Sequence, residues 1–119
     1  MSAVPLSLKL GEDGAFERQF VELTRTDDGA ADLLRGHLEA FAQAPESRGF
    51  FLRGAPDGRK RYLVPAGCGT GLLERAVAVV EVRPQRSAAV LLRLYTLAQV
   101  GQHDVRSEET RRADLELDI

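Results

Sequence analysis

The stretch LLERAVAVVEVRPQRSAAVLLRLYTLAQV, residues 72–100, holds the two longest apolar runs of the chain, with a short turn between them. Both runs are rich in Val or Leu and nearly continuously apolar, which is typical of central strands covered by helices on at least one face. The turn PQRS, residues 84–87, is short, and strands joined by a short turn are antiparallel neighbours. The stretch therefore predicts the centre of an antiparallel sheet.

Two shorter strands are predicted upstream of this hairpin. GFFLRG, residues 49–54, is a short apolar run with aromatic residues, and RKRYLV, residues 59–64, follows as a second strand. Between them, APDG has proline second and glycine fourth, as type I turns favour. These two strands extend the predicted sheet to three or four antiparallel strands.

The N-terminal part of the chain predicts a strand and a helical hairpin. PLSLKL, residues 5–10, alternates leucine with polar residues, as in a half-buried strand. AFERQFVELTR, residues 15–25, places its apolar residues on one face of a helix. A second helix follows within residues 26–45, with Asp27 or Asp28 as its N-cap and a proline at its end.

These elements predict an α+β domain in which the N-terminal strand and the helical hairpin pack on one face of the sheet. The predicted domain covers residues 1–105, and a charged C-terminal tail covers residues 106–119. The tail fits either a charged helix capped by Ser107 or a strand over DLELDI. We favour the helix.

Composition is that of an ordinary soluble domain of 119 residues. The single cysteine excludes an internal disulfide and a zinc site with several cysteines. The N-terminus lacks the basic start and long apolar run of a signal peptide. No apolar run approaches the roughly 20 residues that a membrane helix needs. We therefore expect a cytoplasmic protein.

The glycine-rich stretch PAGCGTGLL, residues 65–73, resembles a nucleotide-binding loop only superficially. A dinucleotide fingerprint has glycine at its sixth position, where this chain has Leu72, and a phosphate loop ends in Gly-Lys-Ser/Thr, which is absent here. The following segment also suits a strand better than a helix whose N-terminus would bind phosphate. The stretch is therefore interpreted as a connection between two strands. Cys68 lies in it without a clear activating base in the sequence.

The chain has two histidines, and neither indicates a metal site. His37 lies off the apolar stripe of its helix, and the two histidines have no paired ligand spacing. His103 is followed by Asp104, so it could act as a general acid or base oriented by a carboxylate, or it could belong to a polar loop. We expect no metal and no cofactor.

The arginines of the predicted strands suggest a binding surface. Because side chains alternate between the faces of a strand, Arg61, Arg75 and Arg93 can converge on one sheet face next to Tyr95. Guanidinium groups bind phosphates in a forked geometry, and an aromatic ring can stack a base. The pattern favours binding of a phosphodiester.

An uneven charge distribution keeps a second interpretation open. Residues 1–47 carry four basic and nine acidic side chains, residues 48–93 carry nine and three, and residues 94–119 carry three and six. The arginines could instead pair with Glu74, Glu81 and the acidic tail within the same molecule. In that case the basic face would be neutralised.

Several segments resemble the RelE/ParE toxin superfamily. PLSLKL followed by AFERQFVEL is similar to that family's first strand and helix, DLLRGHLEAFAQAP to its second helix, and LERAVAVVEV–RPQR–SAAVLLRLYTLAQ to its central hairpin. The resemblance covers most of residues 5–100 by pattern. The chain departs from the family in its slightly acidic net charge and its only two lysines, and AQVGQHDV replaces a lysine-rich segment.

The resemblance implies a small toxin of a toxin–antitoxin pair. RelE-like members cut mRNA on the ribosome with Arg, Lys, Tyr and His side chains, and ParE-like members act on DNA gyrase. By position, the catalytic residues implied here are Arg61, Arg93, Tyr95 and His103. The implied substrate-binding residues are Arg59, Lys60 and Arg75.

The sequence thus gives two functional hypotheses. The first is a RelE/ParE-like toxin or a degenerate relative, which binds RNA or a protein target and is masked by an antitoxin. If it is an enzyme, it is a metal-independent endoribonuclease. The second is a non-catalytic interaction module that binds another protein or forms a homodimer.

Overall fold

The computed structural model describes residues 5–66, 75–102 and 104–117. They form one five-stranded sheet with helices on both faces, which confirms the predicted α+β class. In chain order, the elements are β1 (Ser7–Leu10), α1 (Ala15–Thr26), α2 (Asp28–Gln43), α3 (Pro45–Arg48), β2 (Phe50–Gly54), β3 (Lys60–Ala66), β4 (Ala76–Arg83), β5 (Ala88–Thr96), α4 (Leu97–Gln102) and α5 (Val105–Glu116). Within the described parts, no helix is long and apolar enough to cross a membrane.

The strand order of the sheet is β1-β5-β4-β3-β2. Strands β2 to β5 are antiparallel neighbours in sequence order and correspond to the four strands expected from the sequence. The N-terminal strand β1 does not lie over a face of the sheet but pairs with β5 in parallel. The Ser7 amide donates to the Ser87 carbonyl at 2.8 Å. This pairing satisfies backbone groups of β5 that would otherwise be left at an open edge.

The helical hairpin covers one face of the sheet. Buried residues of α1 and α2, including Phe16, Leu34 and Phe41, pack against Tyr62 and Val80 of the central strands. The N-cap of α2 is Asp27, one of the two residues expected, and its Oδ1 accepts from the Ala30 amide at 3.1 Å. This face holds the larger of the two apolar cores, in which Tyr62 takes part.

A short helix follows β5 directly, so the expectation that the strand continues through residues 97–100 is wrong. The side chain of Gln99 accepts from the Thr96 amide at 2.9 Å and from the Thr96 hydroxyl at 3.3 Å. A threonine followed three residues later by glutamine is a helix-start signal that competes with strand propensity. In this chain, these local hydrogen bonds favour the start of a helix over the strand that the apolar run predicted.

The opposite face of the sheet is covered by the segment predicted to be a charged tail. That segment forms α5, as the helical interpretation expected, but the expected cap Ser107 is wrong because the helix begins earlier. Its N-cap is Asp104, which accepts from the Ser107 amide at 3.2 Å. Val105 packs into a second core together with Leu63, Val79 and Tyr95 of the sheet. α5 is therefore packed on the sheet, beyond the domain boundary predicted at residue 105.

Two glycines provide a test of this packing. A Cβ at Gly49 would lie 2.6 Å from Cε2 of Phe41, whereas a Cβ at Gly36 would meet nothing within 4 Å. We expect Gly49→Ala to lower the free energy of unfolding by roughly 1–3 kcal/mol because it overpacks the ring of Phe41. The matched change Gly36→Ala should raise it by about 1 kcal/mol through helix propensity. Urea denaturation measures the free energy of unfolding of both variants. An unchanged value for Gly49→Ala would contradict the close packing.

Candidate anion-binding site

Two of the predicted arginines and Tyr95 lie on the same face of the sheet, beneath α5. Arg61 is in β3, and Arg93 and Tyr95 are in β5. The intervening strand β4 places Glu81 opposite Arg61 and Val79 opposite Arg93. The alternation of side chains therefore brings these predicted residues together, as expected from the sequence.

Arg61 is almost completely buried and is held by two carboxylates. Its side chain is 3% exposed, its Nη2 donates to Glu81 at 2.9 Å, and its Nη1 donates to Glu116 of α5 at 2.7 Å. Glu81 also accepts from Nε of Arg83 at 2.7 Å. Nε of Arg61 is buried without a hydrogen-bond partner. One donor of this guanidinium is therefore unused.

Arg93 and Tyr95 converge on a single carboxylate, that of Glu109. Glu109 is fully buried on α5, and Nη2 of Arg93 donates to its Oε1 at 2.7 Å while Nε donates to its Oε2 at 3.0 Å. The Tyr95 hydroxyl also donates to Oε2. Glu116 reaches Arg93 at 3.8 Å, so it lies between the two arginines. We call Arg61, Arg93, Glu109 and Glu116 the ionic cluster.

The pKa values of Arg93 and of two groups bonded to the cluster, Glu81 and Tyr95, are shifted. Burial alone would raise the pKa of Glu81, but hydrogen bonds from Arg61 and Arg83 outweigh it and hold that pKa below its ordinary value. Burial, together with the hydrogen bond to Glu109, raises the pKa of the Tyr95 hydroxyl. In Arg93, the bonds to Glu109 overcome burial and raise the pKa. Tyr95 therefore keeps its proton while α5 is docked.

The apolar part of α5 that faces the sheet is thin. Its buried residues recur every fourth position, and one of them is a carboxylate: Val105, Glu109, Ala113 and, just beyond the helix, Leu117. Asp114 adds an ion pair with Arg53 of β2 at 2.6 Å. Ionic contacts thus account for much of the attachment of α5.

The other predicted site residues lie elsewhere. Arg75 binds Asp27 at the start of α2, with Nε donating at 3.0 Å, and so does not join Arg61 and Arg93. Arg59 pairs with Asp57 at 2.8 Å. Lys60 lies 3.5 Å from Glu46. His103, Cys68 and the stretch 67–74 lie outside the described residues.

An open cleft borders the ionic cluster on the side of β1. Its volume is about 560 Å³, and it reaches Arg93 and Glu116. Apolar residues of β5 form part of its lining, and its basic residues besides Arg93 are Lys9, Arg83 and Arg86. The acidic residues Glu12 and Asp13 also line it. The side chain of Arg93 is 18% exposed, so Arg93 lies closer to solvent than Arg61 does.

The sequence interpretation missed Glu109 as a site residue. It had named Glu81 and the acidic tail only as the alternative partners of the arginines, and both Glu81 and Glu116 do bind them. Glu109 and Glu116 are seven residues apart in the sequence, which places them on one side of a helix. That spacing could have indicated a helix with two carboxylates facing the basic strands.

Comparison with known proteins supports the architecture. No family model matches the sequence, and no curated protein matches it. Among solved structures, the archaeal RelE–RelB complex from Pyrococcus horikoshii OT3 aligns with a TM-score of 0.60 over 81% of this chain and 99% of the matched chain, at 12% identity. This chain has a RelE-like fold. The resemblance suggested by the sequence is therefore confirmed for the fold.

The described residues offer no group of three or more His, Cys, Asp or Glu side chains arranged to hold a metal ion. The chemistry available at the ionic cluster is that of guanidinium groups, carboxylates and one phenol. Such groups bind and orient an anion, and the phenol can donate a hydrogen bond.

The lowered pKa of Glu81 makes stability depend on pH. Ionised Glu81 stabilises the fold above the ordinary pKa of 4.5, and this contribution is lost as the pH falls through the lower folded-state pKa. We expect Glu81→Gln to reduce the free energy of unfolding by about 3 kcal/mol near neutral pH, because Arg61 loses a buried partner. The difference in the free energy of unfolding between the variant and the unmodified chain should shrink in acid, because Glu81 then becomes protonated.

Denaturation at a series of pH values measures this difference. The control is Glu22→Gln, which removes an exposed carboxylate from α1 and should change stability by less than about 1 kcal/mol at any pH. A difference for Glu81→Gln that is the same in acid and at neutral pH would contradict an ionised Glu81 in the folded protein.

Proposed function

We propose that this chain is a RelE-like toxin of a toxin–antitoxin pair, or a degenerate relative, that acts in the cytoplasm on RNA at the ribosome or on a protein target. The observation that carries the proposal is the pair Arg61 and Arg93 beside Tyr95 on one face of a RelE-like sheet. The fold and the arginine pair support the proposal by independent routes. The first rests on backbone geometry and the second on side-chain chemistry.

If the target is RNA, the two guanidinium groups would hold phosphates and stabilise charge that develops during cleavage. Tyr95 or His103 would transfer the proton. Arg59 and Lys60 precede Arg61 and would extend the contact along the backbone of the RNA, and Arg75 would contact it further away. Such an enzyme would be an endoribonuclease that needs no metal.

An antitoxin is the proposed partner. The similar solved structure is a complex of RelE with RelB, which makes a protein partner plausible for this chain. Its binding would cover the face that carries the arginine pair. A small helical protein encoded next to this chain would support the pairing.

Growth of a bacterial host after induced expression tests the toxin proposal. Loss of Arg93 alone would remove the guanidinium that holds buried Glu109 through two hydrogen bonds, at a cost of about 3–5 kcal/mol. The suitable variant is therefore Arg93→Gln combined with Glu109→Gln, which removes both charges. We expect arrest by the unmodified chain and normal growth with the double variant.

The matched control is Arg48→Gln, which removes one exposed arginine from α3 and should still arrest growth. Circular dichroism and soluble yield check that each variant folds. Arrest by the double variant, or normal growth with the folded unmodified chain, would contradict the proposal.

A second candidate function, a non-catalytic interaction module, is favoured by two observations. The sheet arginines are already paired with carboxylates of the same chain. In addition, Phe50 and Phe51 of the edge strand β2 are each about half exposed, at 50% and 52%. An exposed apolar edge strand is a surface on which another strand can pair. In this chain, a strand of another protein or of a second copy would pair with β2.

Light scattering after size-exclusion chromatography tests the homodimer form of this alternative. A β2-paired dimer should dissociate with Phe50→Lys, because the lysine charge would be placed in the contact. Leu33→Lys, at a 44% exposed position of α2, is the matched control and should leave the dimer intact. A monomer at every concentration, or a dimer that survives Phe50→Lys, would contradict this arrangement.

A further inference from the structure

We propose that α5 is a displaceable lid whose carboxylates occupy the arginine pair in place of the phosphodiester that the pair binds when α5 leaves. The inference rests on the proposed function for the identity of the ligand, an RNA phosphodiester. It adds a regulation of that site, because carboxylates of the same chain compete with the RNA for the two arginines.

The need for displacement follows from burial. Arg61 is 3% exposed and Glu109 is fully buried, so an external phosphate reaches neither Arg61 nor the Nε–Nη2 edge of Arg93 while α5 is docked. Binding of a ligand at Arg61 or at that edge of Arg93 therefore requires Glu109 and Glu116 to leave. The site is latent in the docked state.

The carboxylates resemble a phosphodiester in the contacts they make. Glu109 accepts two parallel hydrogen bonds from Arg93, the forked geometry in which a guanidinium also binds a phosphate. Glu116 supplies a second negative charge near both guanidinium groups, at 2.7 Å from Arg61 and 3.8 Å from Arg93. Two successive phosphates of a nucleic acid strand would replace two carboxylates of one helix.

The attachment of α5 is suited to release. The apolar side chains that α5 and the following residue bury are few: Val105, Ala113 and Leu117. The polar contacts are ion pairs and the hydrogen bond from Tyr95 to Glu109. Glu109 is buried, but the other two carboxylates paired with the sheet, Glu116 and Asp114, are 44% and 39% exposed. Partly exposed pairs contribute little and are screened by salt. A terminal helix held in this way is expected to open locally before the rest of the fold.

The docked state also leaves one donor unsatisfied. Nε of Arg61 is buried without a hydrogen-bond partner. An unpaired buried donor costs free energy, and a ligand that reaches it recovers that cost. A phosphate with several acceptor oxygens can satisfy Nε as well as the terminal nitrogens of Arg61. While α5 is docked, the carboxylates do not bind Nε of Arg61.

The open cleft provides the route by which the ligand enters. Its four basic residues would attract an anion despite the two acidic residues Glu12 and Asp13, and the cleft reaches Arg93 and Glu116. An incoming phosphate therefore competes first with Glu116, which is partly exposed, and then with Glu109. Because coupling between two ligands is reciprocal, RNA binding loosens α5 to the same extent that α5 weakens RNA binding.

Amide hydrogen exchange on the full chain tests the inference directly. A single-stranded RNA oligonucleotide is added at constant ionic strength, and exchange is followed over residues 105–117 and over α2. We expect the RNA to increase exchange in α5 and to leave α2 unchanged. Bound RNA with unchanged or slower exchange in α5 would overturn the inference.

Charge-neutral variants give a quantitative form of the same test. Glu116→Gln removes the outer competitor while keeping the shape of the side chain, and we expect RNA to bind at least about fivefold more tightly, the low end of ordinary coupling. Glu39→Gln on α2 removes an exposed carboxylate far from the cluster and is the matched control, with unchanged affinity expected. Fluorescence anisotropy of labelled RNA measures both, and equal affinities would overturn the inference.

The outcomes separate the lid from the proposed toxin. Growth arrest that depends on Arg93, together with no effect of Glu116→Gln on RNA affinity or α5 exchange, overturns the lid and leaves the toxin. Tighter RNA binding and a released α5 without growth arrest support the lid and contradict the toxin. An absence of RNA binding by the unmodified chain and by Glu116→Gln overturns the lid.

Discussion

The carboxylate of Glu109 is the contact on which the α5 face of the sheet depends. It is completely buried, and it satisfies Arg93 through two hydrogen bonds and Tyr95 through a third. A buried charge of either sign is costly when it is unpaired, so the arginine and the glutamate each need the other. This requirement fixes the position of α5 over β5. It also places Glu116 between the two arginines.

The two faces of the sheet are consequently stabilised in different ways. The face under α1 and α2 is an apolar core, in which close packing determines the arrangement. The face under α5 combines a small apolar cluster with ion pairs. Salt weakens the partly exposed pairs of Glu116 and Asp114 more than the buried pair of Glu109 with Arg93. The proposed displacement of α5 therefore concerns the face that ion pairs help to hold, and leaves the apolar face covered.

The central hairpin and the helical hairpin were predictable because their signals are local. Alternation with a period of two placed Arg61, Arg93 and Tyr95 on one face, since antiparallel pairing preserves that alternation across strands. Arg75 was wrongly grouped with them because it precedes the first residue of β4, where the alternation no longer fixes its direction, and Asp27 binds it from 48 residues away. Glu109 was missed because α5 carries few apolar residues to show which of its sides is buried, so only its spacing from Glu116 pointed to it. The parallel pairing of β1 likewise depends on tertiary contacts and not on any local pattern.

The most direct measurement of the central claim is a titration with single-stranded RNA, followed by nuclear magnetic resonance of the arginine side-chain Nε–H signals. We predict that the signals of Arg61 and Arg93 shift as the RNA is added, because phosphates replace Glu116 and Glu109 on those guanidinium groups. Signals of exposed arginines remote from the cluster, such as Arg35 and Arg48, should stay in place. Shifts confined to exposed arginines, with Arg61 and Arg93 unchanged, would contradict the claim that this pair is the functional site.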